Sequence, residues 1–298
     1  MSRTVPRAWV PVVALVLVAA GCTPWPRAST VVPVAARCAP VLQVLGRGSS
    51  ERIGSKEVVA MRTAFRSAMG RVEVESLELG DLDGDGRLDP GGYTAVDAFS
   101  APAVDLATNP ADTDISFIGG YNQSRRIGSL ELVLLLTARA RTCPQQRIMV
   151  GGYSMGAHAI GVGLRKLPAS VLARVDAVEF FGDPSFMLGP WARTPGTDVV
   201  AGHGFLGERP VYVPAAVADR TESWCGANDG LCTGNLVLSV TQLLPCTSPE
   251  LAGSPWCSNR HVDYDRWAIG PAMQTAAARV RAALPAAPPA TVRSGARR

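Results

Sequence analysis

A serine that attacks a carbonyl needs three things: a backbone that exposes its hydroxyl, a base that takes its proton, and a carboxylate that holds the base. Ser154 meets the first. It lies in Arg147-Ile148-Met149-Val150-Gly151-Gly152-Tyr153-Ser154-Met155-Gly156-Ala157. The apolar residues Ile148 to Val150 read as a buried strand, and the segment after Ser154 can start a helix. Gly152-x-Ser154-x-Gly156 therefore fits a nucleophile elbow, in which small residues let strand and helix backbones approach and strain pushes the hydroxyl outward. The motif alone is weak in a chain with 30 glycines. A glycine-rich strand end with a buried serine would look the same, so the partners decide.

The chain has three histidines. His158 is one helical turn past Ser154 and faces away from the exposed tip, which makes it a packing residue. His203 sits between Gly202 and Gly204, where nothing positions it. His261, in Ser258-Asn259-Arg260-His261-Val262-Asp263-Tyr264, lies downstream of both other members, as the order Ser, acid, His requires. The acid then lies between Ser154 and His261. Asp176, Asp183, Asp198, Asp219 and Asp229 qualify, with Glu208, Glu222 and Glu250 behind them. Asp183 precedes Pro184, so a turn explains it. Asp229 is bracketed by Cys225 and Cys232. A bridge across so short a loop would restrain its carboxylate, and Asp229 is favoured on that ground over a plain Asn228-Asp229-Gly230 turn.

A second acidic pattern is Asp81-Leu82-Asp83-Gly84-Asp85-Gly86-Arg87-Leu88-Asp89. Carboxylates at positions one, three and five and glycine at six begin an EF-hand-type loop. Position nine is Asp89, but position twelve, where a bidentate Glu belongs, is Gly92. A structural calcium at Asp81, Asp83 and Asp85 and a solvated Asp-Gly turn fit equally well. No cofactor is required for the serine chemistry, and no catalytic metal is expected.

These residues need a scaffold. With 298 residues and 47% hydrophobic content, the chain suits one sizeable α/β domain with extensions. Val41 to Leu45 reads as the first strand, Ser55 to Met69 as a helix, and Val72 to Leu79 as a strand. Ser129 to Arg141 is an amphipathic helix, Ala157 to Leu167 the helix after the elbow, Val175 to Phe181 a strand, and Trp267 to Leu284 a terminal helix. Met187 to Glu208 is an irregular Gly/Pro-rich loop that could overhang a site, and Cys232 to His261 is a long connection. Alternating strands and helices imply a mostly parallel central sheet sandwiched by helices. The net charge of +4 is mild, and no basic stripe interleaves with aromatics, so nucleic acid is excluded as a partner. An ester or lipid substrate and a monomeric state are expected.

The N-terminus reads as an export signal: Arg3 and Arg7, then apolar Val10 to Ala20, too short to remain as a membrane span. Ala19-Ala20-Gly21-Cys22 resembles a bacterial lipobox with Cys22 as the lipidated residue. Seven cysteines leave one unpaired in an exported chain, and Cys22 is the best odd one. The organisation is then 1–21 signal peptide, 22–37 tether, 38–284 catalytic domain and 285–298 disordered tail. Location is expected to be extracellular or at the cell surface, tethered to the membrane through Cys22.

Gly152-Tyr153-Ser154-Met155-Gly156, Cys225-x-x-x-Asp229-x-x-Cys232 and His261-x-x-Tyr264 together resemble the cutinase family of serine esterases. Arg47-Gly48-Ser49-Ser50-Glu51 is similar to that family's oxyanion loop, and Phe180-Phe181-Gly182-Asp183-Pro184 to its actinobacterial branch. The resemblance covers roughly Cys38 to Leu284. It implies an α/β-hydrolase fold and an esterase whose triad is Ser154, Asp229 and His261. The oxyanion donors would be the Met155 and Ser49 N–H groups with the Ser49 hydroxyl. It also implies Cys38–Cys143 and Cys225–Cys232 disulfides, leaving Cys246–Cys257 by elimination. The Asp81 to Gly92 loop and the Cys246–Cys257 segment look like insertions relative to compact fungal members. The competing readings are a non-catalytic surface lipoprotein that binds lipid and a calcium-dependent wall-binding module.

Overall fold

A computed structural model describes residues 38–96, 119–195, 202–207, 209, 211–226, 229–235, 261 and 263–285. The signal and tether, Cys22, Asp198, Glu208, Cys246, Glu250, Cys257 and residues 286–298 lie outside them.

The strands are β1 (Val41–Gly46), β2 (Val74–Glu78), β3 (Arg147–Tyr153), β4 (Val175–Phe181), β5 (Ala192–Arg193) and β6 (Thr221–Trp224). The helices are α1 (Lys56–Met69), α2 (Gly119–Thr142), α3 (Met155–Leu164), α4 (Ala169–Leu172), α5 (Gly230–Thr233), α6 (Tyr264–Trp267) and α7 (Ile269–Ala283). A 3₁₀ turn, Ala215–Arg220, leads into β6. The six strands form one sheet in the order β2-β1-β3-β4-β6-β5, and each adjacent pair is parallel.

A parallel strand buried on both faces should be apolar throughout. β1, β3 and β4 are largely so: Val41-Leu42, Val44-Leu45, Ile148-Met149-Val150, Val175, Ala177-Val178 and Phe180-Phe181 are fully buried, with Gln43, Asp176 and Glu179 as buried polar exceptions. Alternation divides them between two cores. Leu42, Val44, Ile148, Val150 and Phe180 pack with Leu132, Leu136 and Ile160 of α2 and α3. Val41, Leu45, Met149, Ala177 and Phe181 pack with Val58, Phe65, Met273 and Val280 of α1 and α7.

Three elements differ from the sequence expectation. Helix α2 begins at Gly119 rather than Ser129. Its first half is Gly- and polar-rich, which hid it, yet Ser124 and Arg125 are buried. A Cβ on Gly128 would lie 2.8 Å from the Tyr93 ring and 3.2 Å from Ala159 Cβ, so the glycine permits a close approach to α3. The Met187 to Glu208 stretch does not simply overhang. It contributes the two-residue edge strand β5 and a Met187–His203 bridge. The third element, β6, has only four residues, Thr221 to Trp224, too few to stand out by pattern.

Strand order reverses at β1: β2 pairs on one side and β3 on the other. In open parallel sheets, ligands bind outside the carboxyl ends of the strands at such a switch point. The loop after β1 carries Ser49, and the turn after β3 carries Ser154. The amino ends of the strands are closed differently. Cys38 and Cys143 are bridged with a Cα–Cα distance of 5.5 Å. A groove of about 770 Å³ beside them is lined by Arg71, Val72, Gln145, Gln146 and Leu284. It sits on the edge opposite Ser154 and does not serve that residue. No helix among the described residues is long and apolar enough to cross a membrane.

Candidate active site

Ser154 occupies φ 52°, ψ −119°, one of three non-glycine residues with positive φ among those described. Such backbone costs on the order of 1–3 kcal/mol and persists only where the surroundings impose it. Two glycines make it sterically feasible. A Cβ on Gly152 would lie 2.5 Å from Ala157 N, and one on Gly156 would lie 2.3 Å from the Gly46 carbonyl carbon. The Ser154 N–H donates to Phe181 O at 2.8 Å, which fixes the turn to β4. Met155 N–H is the first of α3, and an N-terminal helical amide has no carbonyl of its own helix to reach.

His261 brings Nε2 to 3.0 Å from Ser154 Oγ and Nδ1 to 2.9 Å from Asp229 Oδ2. A carboxylate only accepts, so Nδ1 carries the proton toward Asp229 and Nε2 is left as acceptor for the serine hydroxyl. Asp229 is fully buried. Its Oδ1 accepts N–H groups from Leu231 at 2.9 Å and Cys232 at 3.3 Å. Its Oδ2 also accepts the Tyr264 hydroxyl at 2.7 Å. Burial alone would raise this carboxyl, but the charge and hydrogen bond of His261, then Tyr264 and the Cys232 amide, outweigh it and hold the group below its ordinary value. The Cys225–Cys232 disulfide, Cα–Cα 5.7 Å, closes the loop that presents Asp229.

The other candidate acids among the described residues are engaged elsewhere. Asp183 is buried against Arg209 and accepts the Tyr212 hydroxyl at 2.9 Å. Asp176 pairs with Arg147, Glu222 with Arg193 and Arg279, and Asp219 with Arg220. His158 Nδ1 meets the Tyr121 hydroxyl at 3.0 Å. Burial, then nearby Arg125 and Arg209, push His158 well below its ordinary value, so it stays neutral. His203 Nδ1 donates to Gly204 O at 2.8 Å.

The loop after β1 is tied down on several sides. Arg47 is buried, pairs with Glu78, and donates to Leu79 O at 2.6 Å and Tyr93 O at 2.5 Å. Ser50, at φ 65°, donates its N–H to Ala95 O at 2.7 Å. The Ser49 hydroxyl donates to Val96 O at 2.7 Å, which ties this loop to the chain after β2.

Two residues within recognised motifs acquire a role that the sequence alone did not assign. Gly182, at φ 58°, lies under the site: a Cβ there would fall 2.9 Å from both Asp229 Oδ2 and His261 Nδ1. Tyr264 belonged to a recognised spacing, but its bond to the acid needed coordinates. The Tyr153 ring also packs on His261, with centroids 5.2 Å apart.

Away from this site, Asp81, Asp83 and Asp85 converge, with one carboxylate oxygen from each within 4.8 Å of the others. Calcium takes roughly 6–8 oxygen ligands, so these three are a partial set. Asp89 spends Oδ2 on the Leu82 N–H at 2.8 Å. Gly92 makes room for Glu131, whose Oε1 lies 2.9 Å from where its Cβ would be and accepts the Tyr93 N–H at 3.1 Å.

The sequence profile of the Cutinase family matches residues 101–243. A cutinase of Botryotinia fuckeliana is 26% identical over 134 residues, 45% of this chain and 53% of that protein. Carboxylesterase Culp1 of Mycobacterium tuberculosis is 30% identical over 114 residues, 38% of this chain and 47% of that protein. The chain thus spans about half the length of the curated relatives it matches. Among solved structures, the catalytic core domain of acetyl xylan esterase from Trichoderma reesei superposes with a TM-score of 0.51 at 17% identity, covering 82% of this chain and all of that one. That likeness concerns the fold, the α/β-hydrolase arrangement of a parallel sheet between helices.

Proposed function

We propose that this chain, a cutinase-family protein by its residues 101–243, is a serine esterase that hydrolyses carboxylic esters through an acyl-enzyme. The observation that carries the reading is the unbroken line Ser154 Oγ, His261 Nε2, His261 Nδ1, Asp229 Oδ2, with separations of 3.0 and 2.9 Å. Ser154 attacks the ester carbonyl while Nε2 takes its proton. Asp229 stabilises the imidazolium that forms, and Nε2 then protonates the departing alkoxide. The Met155 and Ser49 N–H groups receive the oxyanion; a donor of this kind is worth about 100- to 1,000-fold in rate. Water, activated by the same imidazole, releases the acid.

The substrate class is an acyl ester of lipid, polyester or envelope material. The relatives carry the names cutinase and carboxylesterase, which support ester hydrolysis without fixing the acyl group. A screen of p-nitrophenyl esters from acetate to palmitate measures acyl preference. Fluorophosphonate labelling tests the mechanism: wild type is labelled at Ser154, whereas Ser154→Ala and His261→Ala neither label nor hydrolyse. Full activity in folded Ser154→Ala overturns the assignment.

The enzyme is placed outside the cytoplasm. Arg3, Arg7, the Val10 to Ala20 run and the small residues before Cys22 support export and a lipid anchor there. Two disulfides in the folded domain suit an oxidising compartment. Mass spectrometry of the N-terminal peptide reads the anchor directly: a diacylated Cys22 is expected, and an unmodified N-terminus beyond residue 22 removes it.

A further inference from the structure

In a parallel sheet the strands start, and the connecting helices end, at one edge. Here that edge, opposite Ser154, gathers cations from several elements. Arg66 comes from the last turn of α1 and Arg71 from the turn after it. Arg141 comes from the last turn of α2, Arg174 from the residue before β4, and Arg281 from the last turn of α7. Arg66, Arg71, Arg141 and Arg281 are exposed and Arg174 is half-buried. Contacts join them into one surface. Arg281 donates to Ala68 O at the end of α1. Arg71 shares the groove beside Cys38–Cys143 with Gln145 and Leu284. Arg174 donates to Gln146 O at 2.7 Å and lines a smaller cleft with Arg141.

Carboxylates do not answer this charge. Among the described ion pairs, Arg139, Arg147, Arg220 and Arg279 have acidic partners, whereas Arg66, Arg71, Arg141, Arg174 and Arg281 have none. Glu73 is the exposed acid that lines the groove. The carbonyls that accept from Arg66, Arg174 and Arg281 carry no net charge. Each helix C-terminus offsets only about half a charge, so most of the positive charge stays. The Ser154 edge is mixed instead: Arg52, Lys56, Arg87 and Arg266 stand among Asp83, Asp85, Asp263 and Asp265.

Cys38, where the chain from Cys22 enters the domain, lines the same groove. The chain from Cys22 to Arg37 reaches about 50 Å at most, so it permits the domain either to stand off a bilayer or to lie on it, and charge decides between the two. We propose that this basic edge docks on the anionic phospholipid headgroups of the bilayer that holds Cys22, so that Ser154 faces away from that bilayer. The choice of bilayer rests on the anchor reading; the charged edge does not. Each Lys or Arg at an anionic surface strengthens binding about 5-fold, within a Debye length of about 8 Å. Seven-residue β3 lifts Ser154 about 20 Å above the edge. Ser154 then meets esters on the outward side and not the lipids of the anchoring bilayer.

The test uses the mature full chain with Cys22→Ser, so no anchor contributes. Sedimentation with phosphatidylcholine vesicles, with and without phosphatidylglycerol, measures docking and needs no esterase activity. Binding is expected only with phosphatidylglycerol, and about 0.5 M salt should release it. Arg71→Glu with Arg141→Glu should weaken binding at least about 25-fold. Arg87→Glu with Arg266→Glu makes the same change of charge on the Ser154 edge and should weaken it less than about 3-fold. No binding to phosphatidylglycerol vesicles, or equal losses in the two double variants, overturns the proposal. Arg293, Arg297 and Arg298 follow Pro285, which lines the same groove. Binding that survives Arg71→Glu with Arg141→Glu and vanishes when these tail arginines become Ser belongs to the tail and also overturns it. Orientation is read with phosphatidylglycerol vesicles in excess: turnover of a soluble p-nitrophenyl ester should equal that without vesicles. Turnover lost on docking places Ser154 against the bilayer and overturns the orientation. An unmodified Cys22 in the native protein, or a chain that hydrolyses no ester, defeats those readings alone, and sedimentation still decides the basic edge.

Discussion

Asp183 and Asp229 both follow a strand and both are buried, but only Asp229 reaches His261. Asp183 neutralises Arg209, which is 1% exposed and stacks over the Tyr212 ring at 4.3 Å. The two residues should fail differently. Asp229→Asn removes the charge that holds the imidazole tautomer, and kcat is expected to fall about 10,000-fold with little change in melting temperature. Asp183→Asn leaves a buried guanidinium without its carboxylate, and stability is expected to fall by about 3–5 kcal/mol. Its kcat in the surviving folded fraction should stay within about 10-fold of wild type. Steady-state kinetics beside urea denaturation separate them; the reverse pattern would reassign the acid. Gly182 shows the same economy of space. It holds φ 58° directly beneath the Asp229–His261 contact, where no Cβ fits.

At the level of elements, the two disulfides do different work. Cys38–Cys143 ties the entry to β1 to the end of α2 across a separation of 105 residues, at the edge away from the site. Closing so long a loop stabilises by about 4.7 kcal/mol in the chain-entropy description. Cys225–Cys232 spans seven positions around Asp229, for which the same description gives about 2.5 kcal/mol. Replacing the first pair by serine should lower the melting temperature most and leave kcat nearly intact. Replacing the second should cost less stability and more kcat, because the Leu231 and Cys232 amides that bind Asp229 Oδ1 lose their restraint. Equal kcat losses in the two double variants would show that the short bridge has no part in holding the acid. Helix α3 is fixed by contact instead. Gly156 rests on the Gly46 carbonyl, so the helix that positions Ser154 lies directly on β1.

Over the whole molecule, several buried carboxyls are held above their ordinary range. Burial pushes Glu131 to about 7 and Glu51 to about 8, and raises Glu78 and Glu179 as well. A group whose folded value exceeds its unfolded value binds its proton more tightly when folded. Its stabilisation is complete below about 4.5 and is lost as pH rises through the folded value. His158 acts oppositely below its ordinary value, since it must stay neutral in the fold. By about pH 6.5 that effect is largely spent. From there to about pH 8 the carboxyls dominate, and stability should decline. Urea midpoints at the two ends of that window measure it. Glu131→Gln, which cannot titrate, should flatten the decline; a midpoint that rises across the window contradicts the buried protonated carboxyls.

What the sequence alone determined is local or ordered along the chain. The turn at Ser154 is legible because glycines at 152 and 156 are the steric condition for strand and helix to meet there. The Ser, acid, His order singled out His261 from three histidines. The strands β1, β3 and β4 are legible because central parallel strands are mostly apolar on both faces, even with Gln43, Asp176 and Glu179 among them. Tertiary structure decided the rest, because those features depend on residues far apart in sequence. The first half of α2 looks too polar and Gly-rich for a helix until Tyr93 and Ala159 crowd Gly128. β6 is four residues long and exists because β4 and β5 flank it. The Ser49 hydroxyl turns to Val96 because the chain 47 residues on brings a carbonyl there. Asp229 could be chosen over Asp183 by its flanking cysteines, but its hold on His261 and the bond from Tyr264 are distances. Sequence spacing sets which groups can meet within a turn or two; the packing of sheet, helices and loops sets which of the remaining groups do.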